Sequence, residues 1–349
     1  MRTILGPGYR PPPLSDPRDA ELLSKIREDP ADDVSREVYA DYLLEQGDAR
    51  GELIALQFKE ARGTATAADR KRVKKLLDEH WYGWTGPLAA ALHRDESAFE
   101  KGFLSKATYP RVATPRKVLK AIVGDEHWAT VHTIRSAHID PSYPATLAHP
   151  VMRGLKNASL DGDELTRVAK GPVAWSLESL RLRSWRLEPA VLDALLGFEG
   201  LGELKELHLL TDHGQPVGAL LGNLARRLRL FDLWLNTDPE PKALLDFLVS
   251  DASIAELRVG TRFVSCSARL AGGARPHLSI VLHHDSEYAL AAATGLLRAA
   301  ELAGFTSGTL TFDPDSGLFR VSRTPANKPT AAVKELRARA SKIAGIPFG

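Results

Sequence analysis

Between residues 104 and 259 the chain repeats a short pattern, apolar-x-x-apolar-x-apolar. The clearest copies are Leu177-x-x-Leu180-x-Leu182, Leu204-x-x-Leu207-x-Leu209, Leu230-x-x-Leu233-x-Leu235 and Ile254-x-x-Leu257-x-Val259. Looser copies precede them: Leu104-x-x-Ala107-x-Tyr109, Val131-x-x-Ile134-x-Ser136 and Leu155-x-x-Ala158-x-Leu160. The copies start at 104, 131, 155, 177, 204, 230 and 254, in steps of 27, 24, 22, 27, 26 and 24 residues. Strand side chains alternate, so the apolar positions face a core and the residues between them face outward. The predicted outward residues are Thr133 and Arg135; Asn157, Ser159 and Asp161; Ser179, Arg181 and Arg183; Glu206, His208 and Leu210; Asp232, Trp234 and Asn236; Glu256 and Arg258. Strands are predicted near 131–135, 156–160, 179–182, 206–209, 232–235 and 256–259. They should pair parallel in sequence order, because a strand-helix-strand crossover returns the chain in the same direction.

A step of about 20–29 residues with this apolar core resembles the leucine-rich repeat. That resemblance implies a solenoid whose concave strand wall grips a macromolecule. Such repeats usually carry Asn at their ninth position. Here that position holds Asp163, Trp185, Asp212, Asp238 and Arg262. Aspartate has no amide to donate to the turn. Asp163 and Asp238 are therefore predicted to cap the following helices. Helices fit 164–170, 188–196, 217–226 and 242–249, so the units are irregular strand-helix pairs.

The N-terminal pattern is helical. Asp16-Pro17-Arg18-Asp19 is a helix start, with Leu22, Leu23 and Ile26 inward and Pro30 as the stop. A second helix fits 35–46, with Val38, Tyr42 and Leu43 inward. A third fits 51–62, with Leu53, Ile54, Leu56, Gln57 and Phe58 on one side. A fourth fits 67–81, capped by Thr66. The polar residues Arg36, Asp41, Asp48, Arg50 and Glu52 have two readings. As a site, Tyr39-Ala40-Asp41 places a carboxylate beside a phenol. As structure, Asp48 caps, and Arg36 and Arg50 pair with Asp41 or Glu52.

Residues 19–57 resemble the bacterial repeat-companion domain. The matching elements are Glu28-Asp29-Pro30, Asp32-Asp33, Arg36-x-x-Tyr39-Ala40-Asp41-Tyr42-Leu43, Glu45-x-Gly47-Asp48 and Arg50-Gly51-Glu52-x-Ile54-x-x-Gln57. The tract His80-Trp81 to Trp84-x-Gly86-Pro87-Leu88, followed by Phe99-x-x-Gly102-Phe103, is similar to the segment joining that domain to its repeats. Tyr42 stands where the family usually has tryptophan. The resemblance implies a helical domain N-terminal to leucine-rich or similar repeats. It implies no particular activity.

After Val259 the pattern changes. Strands fit 262–270 and 277–283, then a helix fits 286–303. A hairpin follows, of 309–312 and 318–321 around Asp313-Pro314-Asp315-Ser316-Gly317, and a last helix fits 331–344. The order β-β-α-β-β-α fits a cap over the last hydrophobic face of a solenoid. Leu278-x-x-Val281, 24 residues after Ile254, leaves an eighth repeat as the alternative.

Composition adds limits. The chain has 349 residues, 44% hydrophobic and 26% charged, with 46 basic and 44 acidic side chains for a net charge of +2. That balance disfavours a general nucleic-acid binder. The basic run Arg70-Lys71-Arg72-Val73-Lys74-Lys75 reads as a solvated helix face, with phosphate binding as its alternative. The single cysteine, Cys266, fits a reducing, cytoplasmic setting. No signal peptide is legible in Met1 to Pro17. His283-His284-Asp285 hints at metal, but adjacent strand residues face opposite ways and ligand spacing is missing. His127, His132 and His138 are scattered around one repeat. No phosphate loop, nucleophile elbow or dinucleotide fingerprint is legible.

The sequence thus predicts an α/β chain: a flexible tail (1–17), a helical companion domain (18–98), an irregular leucine-rich-repeat solenoid (99–260) and an α+β cap (261–349). The expected function is non-enzymatic and cofactor-free. A protein partner would bind Arg135, Arg181, Arg183, His208, Trp234 and Arg258, types enriched at binding hot spots. Trp234 is either a contact anchor or covered by another part of the chain. The alternatives are a regulator, substrate or immunity-type partner of a neighbouring effector enzyme, an enzyme using the N-terminal polar groups, and a nucleic-acid binder using the Arg/Lys patches.

Overall fold

The computed structural model describes residues 16–109, 114–136, 142–184, 186–211, 228, 291, 293 and 294, and the backbones of 230–235, 256–261, 264–269, 277–282 and 307–312. The chain is mixed α/β and divides into two units, Met1–Leu177 and Glu178–Gly349.

The first unit begins with helices α1 (Pro17–Glu28), α2 (Asp33–Glu45), α3 (Ala49–Ala61) and α4 (Ala67–Thr85). Each starts on a side-chain cap: Asp16, Asp32, Asp48 and Thr66 accept from backbone N–H groups of the first turn. Such caps satisfy N–H groups that have no partner inside the helix. Leu22, Ile26, Tyr39, Tyr42, Leu43, Ile54 and Phe58 form the helical core. On α2 the inward side differs from the expectation. Val38 is 43% exposed, and Tyr39 takes the buried position. The 3.6-residue period permits either stripe, and the large aromatic buries more area.

The helices pack on a hairpin of β1 (Ala98–Glu100) and β2 (Phe103–Tyr109). Its two turn residues, Lys101 and Gly102, both have positive φ, 49° and 81°. That geometry matches the twist of a two-residue hairpin. A Cβ on Gly102 would lie 2.1 Å from Ile54 Cγ1 of α3, so only glycine fits. Gln57 holds the turn at both ends. Its Nε2 donates to Phe99 O at 2.8 Å, and its Oε1 accepts from Gly102 N at 2.7 Å.

Strands β3 (Thr133–Ser136) and β4 (Asn157–Asp161) follow β2 in parallel. Ala107, Ile134 and Ala158 are in register and buried. In sequence, α5 (Arg116–Ala121) lies between β2 and β3, α6 (Ser142–Ala148) between β3 and β4, and α7 (Gly162–Val168) follows β4. The Tyr109 ring packs between Trp128 and Tyr143, with centroids at 5.5 and 5.7 Å. The cap of α7 is Asp161 rather than Asp163. Its side chain accepts from Glu164 N, and Glu164 accepts from Asp161 N. This reciprocal box needs a carboxylate three residues on, which Asp161 has and Asp163 lacks.

In the second unit β5 (Ser179–Arg183), β6 (Glu206–Thr211), β7 (Leu230–Leu235) and β8 (Glu256–Thr261) pair parallel in sequence order. Helix α8 (Pro189–Gly197) lies between β5 and β6 in sequence. The register corrects one copy of the motif. Leu207 and Leu209 align with Phe231 and Leu233, and these align with Leu257 and Val259. The copy therefore begins at Leu228, which is 4% exposed, rather than at Leu230. A two-residue slip preserves side-chain parity, so alternation alone cannot fix it. The parallel run ends at β8. Strand β9 (Val264–Arg269) is antiparallel to β8 and to β10 (His277–Leu282), and β11 (Ser307–Phe312) is parallel to β10. β10 is thus separated from the parallel run by an antiparallel strand. The predicted helices at 217–226, 242–249 and 331–344, the strand at 318–321 and the Asp238 cap lie outside the described residues, as does the helix at 286–303 apart from Ala291, Ala293 and Thr294, which are helical.

Two substitutions test this packing. Leu207 is fully buried, so Leu207→Ala is expected to cost about 2–5 kcal/mol in a denaturant titration. Gln57→Leu leaves Phe99 O and Gly102 N buried without partners. At about 1–3 kcal/mol per lost group it should lower the melting temperature clearly, and an unchanged melt would show that the clamp contributes nothing.

Candidate functional site

The outward face of the second unit is built by β5 to β8. Leu180 and Leu182 are fully buried, while Arg181 between them and Arg183 after them are exposed. The two residues belong to one face of the strand, with Cα atoms about 6.8 Å apart. No hydrogen bond or ion pair joins either to another described residue. On β6 the same alternation leaves Glu206, His208 and Leu210 half-buried, over buried Leu207 and Leu209.

The register sorts the predicted residues into two rows. Arg181, His208, Asp232 and Arg258 are cross-strand neighbours. Arg183, Leu210, Trp234 and Gly260 form the second row. The slip at β7 thus splits the predicted site residues between the two rows. Trp234 stands beside Leu210 rather than beside His208. Adjacent strands lie about 4.8 Å apart, so each row is a closely spaced ladder. Arg135 belongs to the first unit. It is exposed on β3, in register with Thr108 of β2 and Ser159 of β4.

The N-terminal polar residues have other partners than those expected. Arg36 donates to Pro30 O at 2.7 Å and Glu100 O at 3.2 Å. Arg50 donates to Gly102 O at 3.0 Å. The two guanidinium groups lie 5.0 and 4.4 Å from the Phe103 ring centroid. Burial lowers both guanidinium pKa values. Neither arginine pairs with Asp41 or Glu52. Asp41 is exposed, and Glu52 takes a two-pronged bond from Arg72 at 2.7 and 2.5 Å. The carboxylate beside the Tyr39 phenol is Asp19, at 2.9 Å, rather than Asp41. Asp48 caps α3 as expected.

Most cations of the basic run on α4 face carboxylates. Arg70 approaches Glu60 at 3.8 Å, Arg72 binds Glu52, and Lys75 approaches Glu79 at 3.7 Å. Among the histidines, the His127 ring contacts Asp125 at 2.8 Å. Burial pushes the Asp125 carboxyl up, but the hydrogen bonds from His127 outweigh it and hold the group below its usual range. His132 joins Glu100 and Thr133, each at 3.0 Å. Its hydrogen bond lowers the Glu100 carboxyl. Among the described residues no group of His, Cys, Asp and Glu is placed to hold a metal ion. His138 and the His283-His284-Asp285 cluster lie outside them. No helix among the described residues is long and apolar enough to cross a membrane.

No protein-family description, no curated protein and no solved structure matches the chain. Gln57 and Asp19 take contacts that the hydrophobic pattern does not reveal. For Gln57 a signal exists, since an amide among apolar inward positions has to meet backbone groups.

The buried phenol gives a pH test. Burial raises the Tyr39 pKa well above its usual range; Arg50 opposes this, and Asp19 adds to it. The folded state therefore holds this proton more tightly than the unfolded chain, whose tyrosine titrates near about 10. The contribution is complete below pH ~10 and is lost as pH rises above that value. Tyr39→Phe should cost about 1 kcal/mol at neutral pH, for the bond to Asp19. It should also flatten the alkaline fall in stability. An alkaline limb identical to the wild type would mean that Tyr39 is not the titrating group.

Proposed function

We propose that this protein is a non-enzymatic, cytoplasmic interaction scaffold that binds a protein partner on the outward face of its parallel strands. On this reading the strand-helix units form a leucine-rich-repeat solenoid, residues 18–98 are a repeat-companion domain, and the segment after 261 is an α+β cap. The observation that carries it is the pair Arg181 and Arg183, exposed on one strand face with no partner among the described residues. Exposed arginine costs nothing in water, but an arginine pair on one strand face is pre-arranged for bidentate bonds to carboxylates. The neighbouring row positions add His208 and Arg258 on one side and Trp234 on the other. The partner surface is then acidic, with an apolar feature opposite Trp234.

A nucleic-acid reading would use the run 70–75 together with Arg135, Arg181 and Arg183; it is weaker because Arg70, Arg72 and Lys75 already face carboxylates and the net charge is only +2. Pairing within the chain removes the counterion release that drives phosphate binding. An enzymatic reading would use the polar groups near Tyr39, and these are engaged with the hairpin backbone and with Asp19.

The test is affinity capture from the native host with the wild-type chain and with the double variant Arg181→Glu, Arg183→Glu, read by mass spectrometry. A protein held by the first and lost by the second, at equal melting temperature, supports the reading. Equal capture by both removes this face from the site. With the partner in hand, Trp234→Ala should weaken binding by about 2 kcal/mol or more.

A further inference from the structure

Three short helices of the first unit lie side by side, with α6 packed against both α5 and α7. Val118 and Leu119 of α5, and Leu165 and Val168 of α7, are buried. The other sides carry cations. Arg116, Lys117 and Lys120 of α5, Arg167 of α7 and Lys170 just after it are all exposed. A turn of 3.6 residues gathers each set on one outward stripe. None of the five bonds to another described residue. Between the two stripes α6 exposes only Ala145.

The carboxylates of the same stretch are mostly engaged within the chain. Asp125 meets His127, and Glu126 meets Arg27. Asp161 and Glu164 form the capping box of α7. Asp163 is the one exposed carboxylate on the three helices, set against five cations. Arg111 and Asp140, one of each sign, lie outside the described residues. The net charge of +2 for the whole chain hides this local excess.

We propose that this helical layer binds double-stranded DNA through its phosphates, without reading sequence. Unpaired cations can displace the counterions condensed on a duplex, whereas cations already paired within the chain gain little by doing so. Packed helices lie about 8–10 Å apart, so the α5 and α7 stripes are about 16–20 Å apart. Long Lys and Arg side chains close that span to the phosphate rows bordering a major groove about 12 Å wide. The small side chain of Ala145 leaves the space between them open. The layer exposes no aromatic or large aliphatic side chain. A protein hot spot needs such an anchor, and a single strand needs aromatic rings on which its bases stack. A surface that offers charge alone suits a duplex backbone. The site is separate from the basic run on α4, most of whose cations face carboxylates, and it does not rest on the strand face of the second unit.

Fluorescence anisotropy of a labelled DNA duplex of about 20 base pairs, titrated with the full chain between about 50 and about 200 mM salt, reads this directly. Five phosphate contacts give a slope of about −4.5 in log K against log salt. Lys117→Gln with Lys120→Gln, and Arg167→Gln with Lys170→Gln, alter exposed side chains and should leave the melting temperature unchanged. Each pair should weaken binding about tenfold or more and make the slope shallower by about 2. Lys71→Gln with Lys74→Gln on α4 should leave affinity and slope as in the wild type. No binding at about 50 mM salt overturns the proposal. So does binding unchanged in either helix-pair variant, or binding lost with the α4 pair. A single strand of the same length, or vesicles of anionic lipid, bound as tightly as the duplex would show general charge attraction and overturn it as well.

Discussion

The two-residue turn between β1 and β2 is the constraint on which the first unit depends. A hairpin turn exposes backbone N–H and C=O groups that the strands cannot pair. Here the turn is pressed against α3, away from water, so those groups must be satisfied by side chains. Gln57 meets Phe99 O and Gly102 N, Arg50 meets Gly102 O, and Arg36 meets Glu100 O. The same arginines both lie over the ring of Phe103, which is part of the helical core. Helix positions and sheet start are thus one arrangement. The parallel strands β3 and β4 then extend from β2, whose place the turn has set.

Those contacts also explain why the N-terminal polar residues resemble a site in the sequence. Buried arginines near a tyrosine and aspartates are the chemistry of many active sites. In this protein the arginine charge is spent on carbonyl oxygens and an aromatic face, and the phenol donates to Asp19. Burying a guanidinium costs free energy unless its donors are met; fixed carbonyls meet both terminal nitrogens of Arg36 and the Nε of Arg50, while Arg36 Nε is buried without a partner. The outward strand face of the second unit is the opposite case. Arg181 and Arg183 are exposed and bond to no other described residue.

What the sequence determined by itself was whatever depends on local rules. Helix starts were legible because Asp16, Asp48 and Thr66 are capping residues at the right places. Strand positions and their inward sides were legible because burial on one face imposes a two-residue period, and Leu180, Leu182, Leu207 and Leu209 obey it. The exposure of Arg181 and Arg183 followed from the same alternation. What only the tertiary structure decided was register and partner choice. Phe231 and Leu233, rather than Leu233 and Leu235, face Leu207 and Leu209, because a slip of two residues keeps every side chain on its side and leaves no trace in the pattern. That slip moved Trp234 from the row of His208 to the row of Leu210. Likewise Val38 and Tyr39 are both compatible with an inward stripe until a hairpin with Phe103 at its end selects the tyrosine, whose ring lies 6.0 Å from that phenylalanine. Arg36, Arg50 and Gln57 find carbonyls between 42 and 64 residues away in the chain. Contacts at that separation are set by packing in three dimensions, and no local pattern encodes them.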